Sequence, residues 1–139
     1  MALPEVYATA WAGLHQNLGL RPGQTVLVRG ATSALGQAAV NVAAEDGATV
    51  IATTRSAERA ELLRGIGATS VLIDDGALAG QVHGLGMTVD GVFDLVGNSV
   101  LRDSLRIVRP GGRVCQLGFL GGLEPVSYTH LTLPTKRIV

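Results

Sequence analysis

Gly30, Ser33 and Gly36 punctuate the stretch Thr25 to Gly36, which reads Thr-Val-Leu-Val-Arg-Gly-Ala-Thr-Ser-Ala-Leu-Gly. Residues of so little bulk let an anion approach backbone N–H groups, and the anion that suits such a turn is a diphosphate. The field of a following helix favours negative charge at the same spot. The candidate contacts in the turn are Gly30, Ser33, Ala34, Leu35 and Gly36. Glycine also terminates strands without binding anything, so the turn gains its meaning from the elements around it.

Those elements are of the right kind. Val26, Leu27 and Val28 form a continuous apolar run, as a parallel strand covered on both faces requires. Leu35, Ala38, Ala39, Val42 and Ala43 recur at the spacing of one buried helical face. That helix stops at Asp46-Gly47, and a second strand follows within Ala48 to Thr54. Strand, turn, helix and strand together make a dinucleotide-binding unit.

The remaining elements alternate. A helix over Pro4 to Leu18, stopped by Gly19, leads through the turn Arg21-Pro22-Gly23-Gln24 into the first strand. Ser56 is the candidate N-cap of a helix from Ala57 to about Gly65, and Ser70 to Ile73 is a third strand. Asp74 to Gly86 is an ambiguous stretch read as a weak helix between loops. A fourth strand over Gly91 to Val96, a helix over Ser99 to Val108, a turn at Pro110-Gly111-Gly112 and a fifth strand over Arg113 to Leu117 complete the pattern. The fold class is α/β, a Rossmann-type doubly wound parallel sheet of five strands in the order 3-2-1-4-5.

Composition bounds the rest. The 139 residues suffice for one domain, and eleven basic residues balance eleven acidic ones, which gives no field to draw the chain to nucleic acid or anionic lipid. No run reaches the roughly 18 apolar residues of a membrane span, and Met-Ala-Leu-Pro-Glu is not a secretion signal. A cytoplasmic location is expected. Cys115 is the lone cysteine and falls in an apolar strand pattern, as a small core residue does. His15, His83 and His130 lack partners at ligand spacing, so no metal site is expected. Tyr128 has Thr132 rather than a lysine four residues on, which removes the short-chain dehydrogenase pair.

Five blocks in order carry a resemblance to a known family. They are Pro22 to Val28, the turn Gly30 to Gly36, Gly65-Ile66-Gly67-Ala68, Asp90-Gly91-Val92-Phe93-Asp94-Leu95-Val96-Gly97, and Arg109-Pro110-Gly111-Gly112-Arg113-Val114 with Leu117-Gly118 after it. Together they resemble the medium-chain dehydrogenase/reductase superfamily, most closely its zinc-independent, quinone-oxidoreductase-like branch, over residues 7–125. Ser33 stands where the family usually has glycine; its hydroxyl is itself a donor to phosphate.

The resemblance implies NADPH-dependent hydride transfer to a quinone or an activated carbon–carbon double bond. It also implies a homodimer when full length, with a small-molecule substrate and neither nucleic acid nor membrane as partner. The family's substrate-binding N-terminal domain has no counterpart here. The chain is therefore expected to be a truncated, by itself inactive, cofactor-binding half without catalytic residues of its own. A non-catalytic NADPH-binding module and the zinc-dependent alcohol dehydrogenase branch stay open as alternatives.

The second strand ends Thr53-Thr54-Arg55-Ser56, without the acid that holds a ribose 2′-hydroxyl in NAD-specific turns. Arg55 and Arg59 suit a 2′-phosphate instead, so NADPH (NADP) is the expected cofactor, although both are also ordinary solvated residues of a helix start. Thr9 matches a family threonine whose hydroxyl lies near the nicotinamide or its phosphate, and is equally an ordinary helix-surface residue. Val96, Gly97, Gly118 and Phe119 follow strands four and five at the carboxyl edge, where such sheets bind ligands.

The likeness stops after Pro125. Val126 to Thr135 reads Val-Ser-Tyr-Thr-His-Leu-Thr-Leu-Pro-Thr, which resembles the conceptual translation of a transposon-end sequencing adapter. The expected division is a lead-in helix over residues 1–20, a dinucleotide-binding domain over 21–125 that is incomplete at its C-terminal end, and an artefactual tail over 126–139 without a packing role. Its loss of the family's last helix and strand is expected to uncover Val114 and Leu117.

Overall fold

The computed structural model of the chain describes residues 4–117 and 137–139. Its sheet has six strands, all parallel, in the order β3-β2-β1-β4-β5-β6. They are β1 (Thr25–Arg29), β2 (Thr49–Thr54), β3 (Ser70–Ile73), β4 (Val89–Asp94), β5 (Val108–Gln116) and β6 (Arg137–Ile138). The expected five-strand order stands, with β1 in the centre.

Helices cover both faces. Val26 and Val28 point into a core shared with α1 (Pro4–Trp11), α2 (Ala34–Glu45) and α3 (Ala60–Gly65) through residues such as Ala10, Ala39 and Leu63. Leu27 points the other way, into a core with α4 (Leu78–Gly84) and α5 (Leu101–Ile107) through Leu78, Val82, Leu101 and Leu105. Two buried faces explain why the strand sequence is continuously apolar rather than alternating. No helix among the described residues is long and apolar enough to cross a membrane.

Several element boundaries differ from the sequence reading. The first helix continues past Trp11 as a π-helix over Ala12–Asn17, which brings Gly13 hard against the ring of Phe93. Ser56 makes no side-chain cap; Ala57–Arg59 form a 3₁₀ turn before α3, and the hydroxyl of Thr54 accepts from the Ser56 N–H at 3.1 Å instead. β4 begins and ends two residues earlier than expected, because Asp94 already bends the chain by accepting from the N–H groups of Val96 and Gly97.

Pro110-Gly111-Gly112 does not precede the fifth strand but lies inside it. Pairing runs from Val89 with Val108 to Gly91 with Arg113, so the extra residues bulge out of β5, with Gly111 at φ 83°. The expectation that Val114 would be uncovered is also wrong. Val114 is fully buried against α5, and Leu117 is half-buried against the other core. Finally, the last residues take part in the sheet. β6 pairs with β5 at Arg113–Arg137 and Val114–Ile138, and the Val139 N–H donates to the Val114 carbonyl at 2.8 Å. A packing role is therefore present for 137–139; Val126 to Lys136 lie outside the described residues.

Candidate functional site

The turn between β1 and α2 is shaped by three small residues. Gly30 leaves the strand at φ 82°, a conformation that a side chain disfavours. Gly36 lies against the turn so closely that a Cβ there would meet the Gly30 carbonyl and stand 2.7 Å from the Ala31 Cα. Between them Ser33 caps α2. Its hydroxyl donates to the Gly30 carbonyl at 3.1 Å and accepts from the Gly36 N–H at 3.0 Å. The serine that stands in place of glycine thus spends its hydroxyl proton inside the turn.

β2 pins the turn from the side. The Gly30 N–H donates to the Thr53 hydroxyl at 3.3 Å and the Ala31 N–H to the Thr53 carbonyl at 3.1 Å. Helix starts leave their first N–H groups unpaired. Here Ser33 satisfies that of Gly36, while those of Ala34 and Leu35 have no partner among the described residues. Two free donors at the positive end of a twelve-residue helix can hold a diphosphate.

A cleft of about 480 Å³ opens beside the turn, lined by Gly30, Thr32, Ser33, Thr53, Val96 and the segment Thr54-Arg55-Ser56, with Arg59 and Asp74. Arg55 and Arg59 are exposed, and neither has an ion-pair partner among the described residues. Asp74 differs. Its carboxylate is held from behind by Arg29, whose Nε and Nη2 donate to its two oxygens at 2.8 and 3.0 Å. Arg29 is fully buried and pairs also with Asp103 at 2.8 Å. Burial works against its charge, but the two carboxylates outweigh that and hold its pKa above the usual value.

Behind Arg29 the network continues. Ser104 accepts from Arg29 at 3.1 Å and donates to Asp94 at 3.2 Å. Burial pushes the Asp94 carboxyl above its usual range, against the lowering effect of the Gly97 and Val96 N–H groups and of the Arg29 charge. Burial likewise raises the Cys115 thiol, which packs in the core and accepts a hydrogen bond from the Asn17 amide at 3.5 Å.

Of the residues singled out by sequence, Gly30, Ser33, Thr53, Arg55, Arg59 and Val96 line one cleft; Ala34 and Leu35 are not among its lining residues but follow the turn as the first residues of α2. Gly36 acts by close packing beneath the turn. Gly97 is buried, and its N–H donates to Asp94 at 3.2 Å rather than facing the cleft. Thr9 is exposed on α1 and is not among the cleft residues. Gly118 and Phe119 lie outside the described residues. Sequence reasoning missed Thr32, Thr54, Ser56 and Asp74. An acid directly after an apolar strand, at the sheet edge where ligands bind, was the available signal for Asp74. Among the described residues no cluster of His, Cys, Asp or Glu is arranged to hold a metal ion.

Comparison with known proteins places the chain. The family model described as zinc-binding dehydrogenase matches residues 34–139. Phthioceranic/hydroxyphthioceranic acid synthase of Mycobacterium tuberculosis is 35% identical over 121 residues, which cover 84% of this chain and 6% of that protein. Quinone oxidoreductase-like protein 2 of Mus musculus is 39% identical over 124 residues, covering 86% of this chain and 35% of its own length. The crystal structure of Pseudomonas syringae quinone oxidoreductase matches with a TM-score of 0.86 at 28% identity, over 99% of this chain and 44% of that one. The chain thus spans only a small part of the mycobacterial synthase and about a third of the mouse relative. Turn, sheet order and relatives agree: the chain belongs to the zinc-binding dehydrogenase family, as a quinone-oxidoreductase-like, Rossmann-fold part of the medium-chain dehydrogenase/reductase superfamily.

Proposed function

We propose that this chain is the cofactor-binding half of an NADPH-dependent oxidoreductase that passes hydride to a quinone or an activated carbon–carbon double bond. One observation carries the reading. The N–H groups of Ala34 and Leu35, unpartnered among the described residues, open α2 directly after the turn, and Arg55 and Arg59, likewise without an ion-pair partner among those residues, line the cleft beside that turn. The first pair suits the diphosphate, and the second suits a phosphate on the adenosine ribose. No acid stands at the end of β2 to hold a free 2′-hydroxyl, and Asp74, the carboxylate in the cleft wall, is already paired with Arg29.

The bound nicotinamide would supply the hydride. The chain's own residues bind and orient: Gly30 and Gly36 bring the backbone within reach, Thr53 fixes the turn, and Val96, just after β4, lines the cleft. The names of the mouse and Pseudomonas proteins support quinone-type substrates.

Titrating the chain and its Arg55→Asp variant with NADPH and NADH tests the reading. A charge-assisted contact is worth roughly 1.5–3 kcal/mol, so NADPH affinity should fall about tenfold or more relative to NADH. An unchanged ratio would make Arg55 a bystander and remove the main support for a 2′-phosphate site.

A further inference from the structure

Arg29 ends the central strand as a fully buried charge, and its surroundings are unusual for one. Its Nε and Nη2 fork onto both oxygens of Asp74, its Nη1 reaches Asp103 at 2.8 Å and Ser104 at 3.1 Å, and Asp94 lies beyond Ser104. Each acid has local work of its own. Asp74 accepts from the Gly76 N–H at 2.8 Å, turning the chain after β3. Asp103 accepts from the first N–H groups of α4, those of Leu78 and Ala79, at 2.8 and 3.1 Å. Two carboxylates are thereby fixed at the ligand edge of the sheet, and a buried pair of this kind contributes little net stability over packed aliphatic side chains.

What an aliphatic residue cannot do is neutralise Asp74. That residue shares two adjoining hollows with Arg55, the cleft of about 480 Å³ and a second of about 310 Å³ lined also by Gly76, Val96 and Ser99. The Asp74 N–H donates to the Thr54 carbonyl at 2.8 Å, which ties it to the residue preceding Arg55. A free carboxylate at this place would pair with Arg55 and repel a nearby phosphate dianion.

We propose that Arg29 is a specificity-determining positioning residue: by clamping Asp74 from behind it leaves Arg55 and Arg59 unpaired, and so gives the cleft its preference for a 2′-phosphorylated adenosine nucleotide. This rests on the reading that the cleft holds such a nucleotide. Arg29 touches no ligand in this scheme, because it is fully buried beneath the cleft wall.

The test is calorimetric titration of the 139-residue chain with adenosine 2′,5′-bisphosphate and with AMP, taking the ratio of the two affinities. The wild-type chain should prefer the bisphosphate. Arg29→Met should lower that ratio about tenfold by freeing one carboxylate beside the phosphate. Asp74→Asn added to Arg29→Met should restore it, while Asp74→Asn alone should leave it near the wild-type value. A purely structural Arg29 would weaken both ligands alike, so an unchanged ratio in Arg29→Met overturns the proposal. A lowered ratio that Asp74→Asn fails to restore also overturns it.

If Arg29→Met does not fold, Arg29→Lys carries the same test. A single ammonium cannot hold both oxygens of Asp74 and also reach Asp103, so the ratio should fall and recover with Asp74→Asn; no fall, or no recovery, overturns the proposal. A wild-type chain that binds AMP and the bisphosphate equally overturns the 2′-phosphate reading itself. A wild-type preference that survives Arg29 substitution leaves that reading standing and removes only the role of Arg29.

Discussion

Gly36 of α2 packs directly on Gly30 of the preceding turn, with no room for even a methyl group: a Cβ on Gly36 would press on the Gly30 carbonyl and stand 2.7 Å from the Ala31 Cα. The helix therefore begins as close to the strand end as backbone atoms permit. That closeness sets the N–H groups of Ala34 and Leu35 directly after the turn whose Gly30, Thr32 and Ser33 line the cleft.

Gly36→Ala should force α2 away from the turn. The expected cost is about 1–3 kcal/mol of folding stability, as for overpacked cores. Nucleotide binding should fall as well, because the N–H groups move. Chemical denaturation and an NADPH titration on the same variant check both; an alanine that leaves both unchanged would show that the turn yields easily.

Ser33→Ala should cost about 1 kcal/mol, since the hydroxyl caps the Gly36 N–H and also bonds the Gly30 carbonyl. Ser33→Gly should cost only a few tenths of a kcal/mol and open the turn slightly. If NADPH binding weakens more than stability in Ser33→Gly, the hydroxyl reaches the phosphate after all.

The pH dependence of stability carries a distinct signature from Asp94. Its carboxyl is raised above its ordinary value of 3.8 by burial, so the folded state keeps a proton that the unfolded chain releases. Stability from this group therefore falls as pH rises from 3.8 through the raised value, and below 3.8 the difference vanishes. Asparagine can still accept from the Val96 and Gly97 N–H groups and has no charge to bury. Asp94→Asn should remove this component from a urea-denaturation profile followed upward from pH 3.8. A profile that keeps the same slope would assign the dependence to other groups.

Much of this architecture is legible in local sequence because local rules set it. The run Val26-Leu27-Val28 demands a strand buried on both faces, and the small residues from Gly30 to Gly36 demand a turn before a helix. Arg29 is invisible by the same rules. It is a charge at the end of an apolar strand, and the partners that make it tolerable lie 45 and 75 residues away in sequence. The bulge in β5 escaped for a related reason: Pro110-Gly111-Gly112 has turn chemistry, and only pairing of both flanks with β4 keeps the strand continuous. At Ser56 the residue type suited a cap, yet it was Thr54 whose hydroxyl met the backbone.

The central claim is that this cleft selects a nucleotide by its 2′-phosphate. Parallel titrations of the unmodified chain with NADPH and NADH test it most directly. Two unpaired guanidinium groups predict that NADPH binds at least about tenfold more tightly, with the advantage shrinking as salt is added. Equal affinities, or tighter binding of NADH, would contradict it.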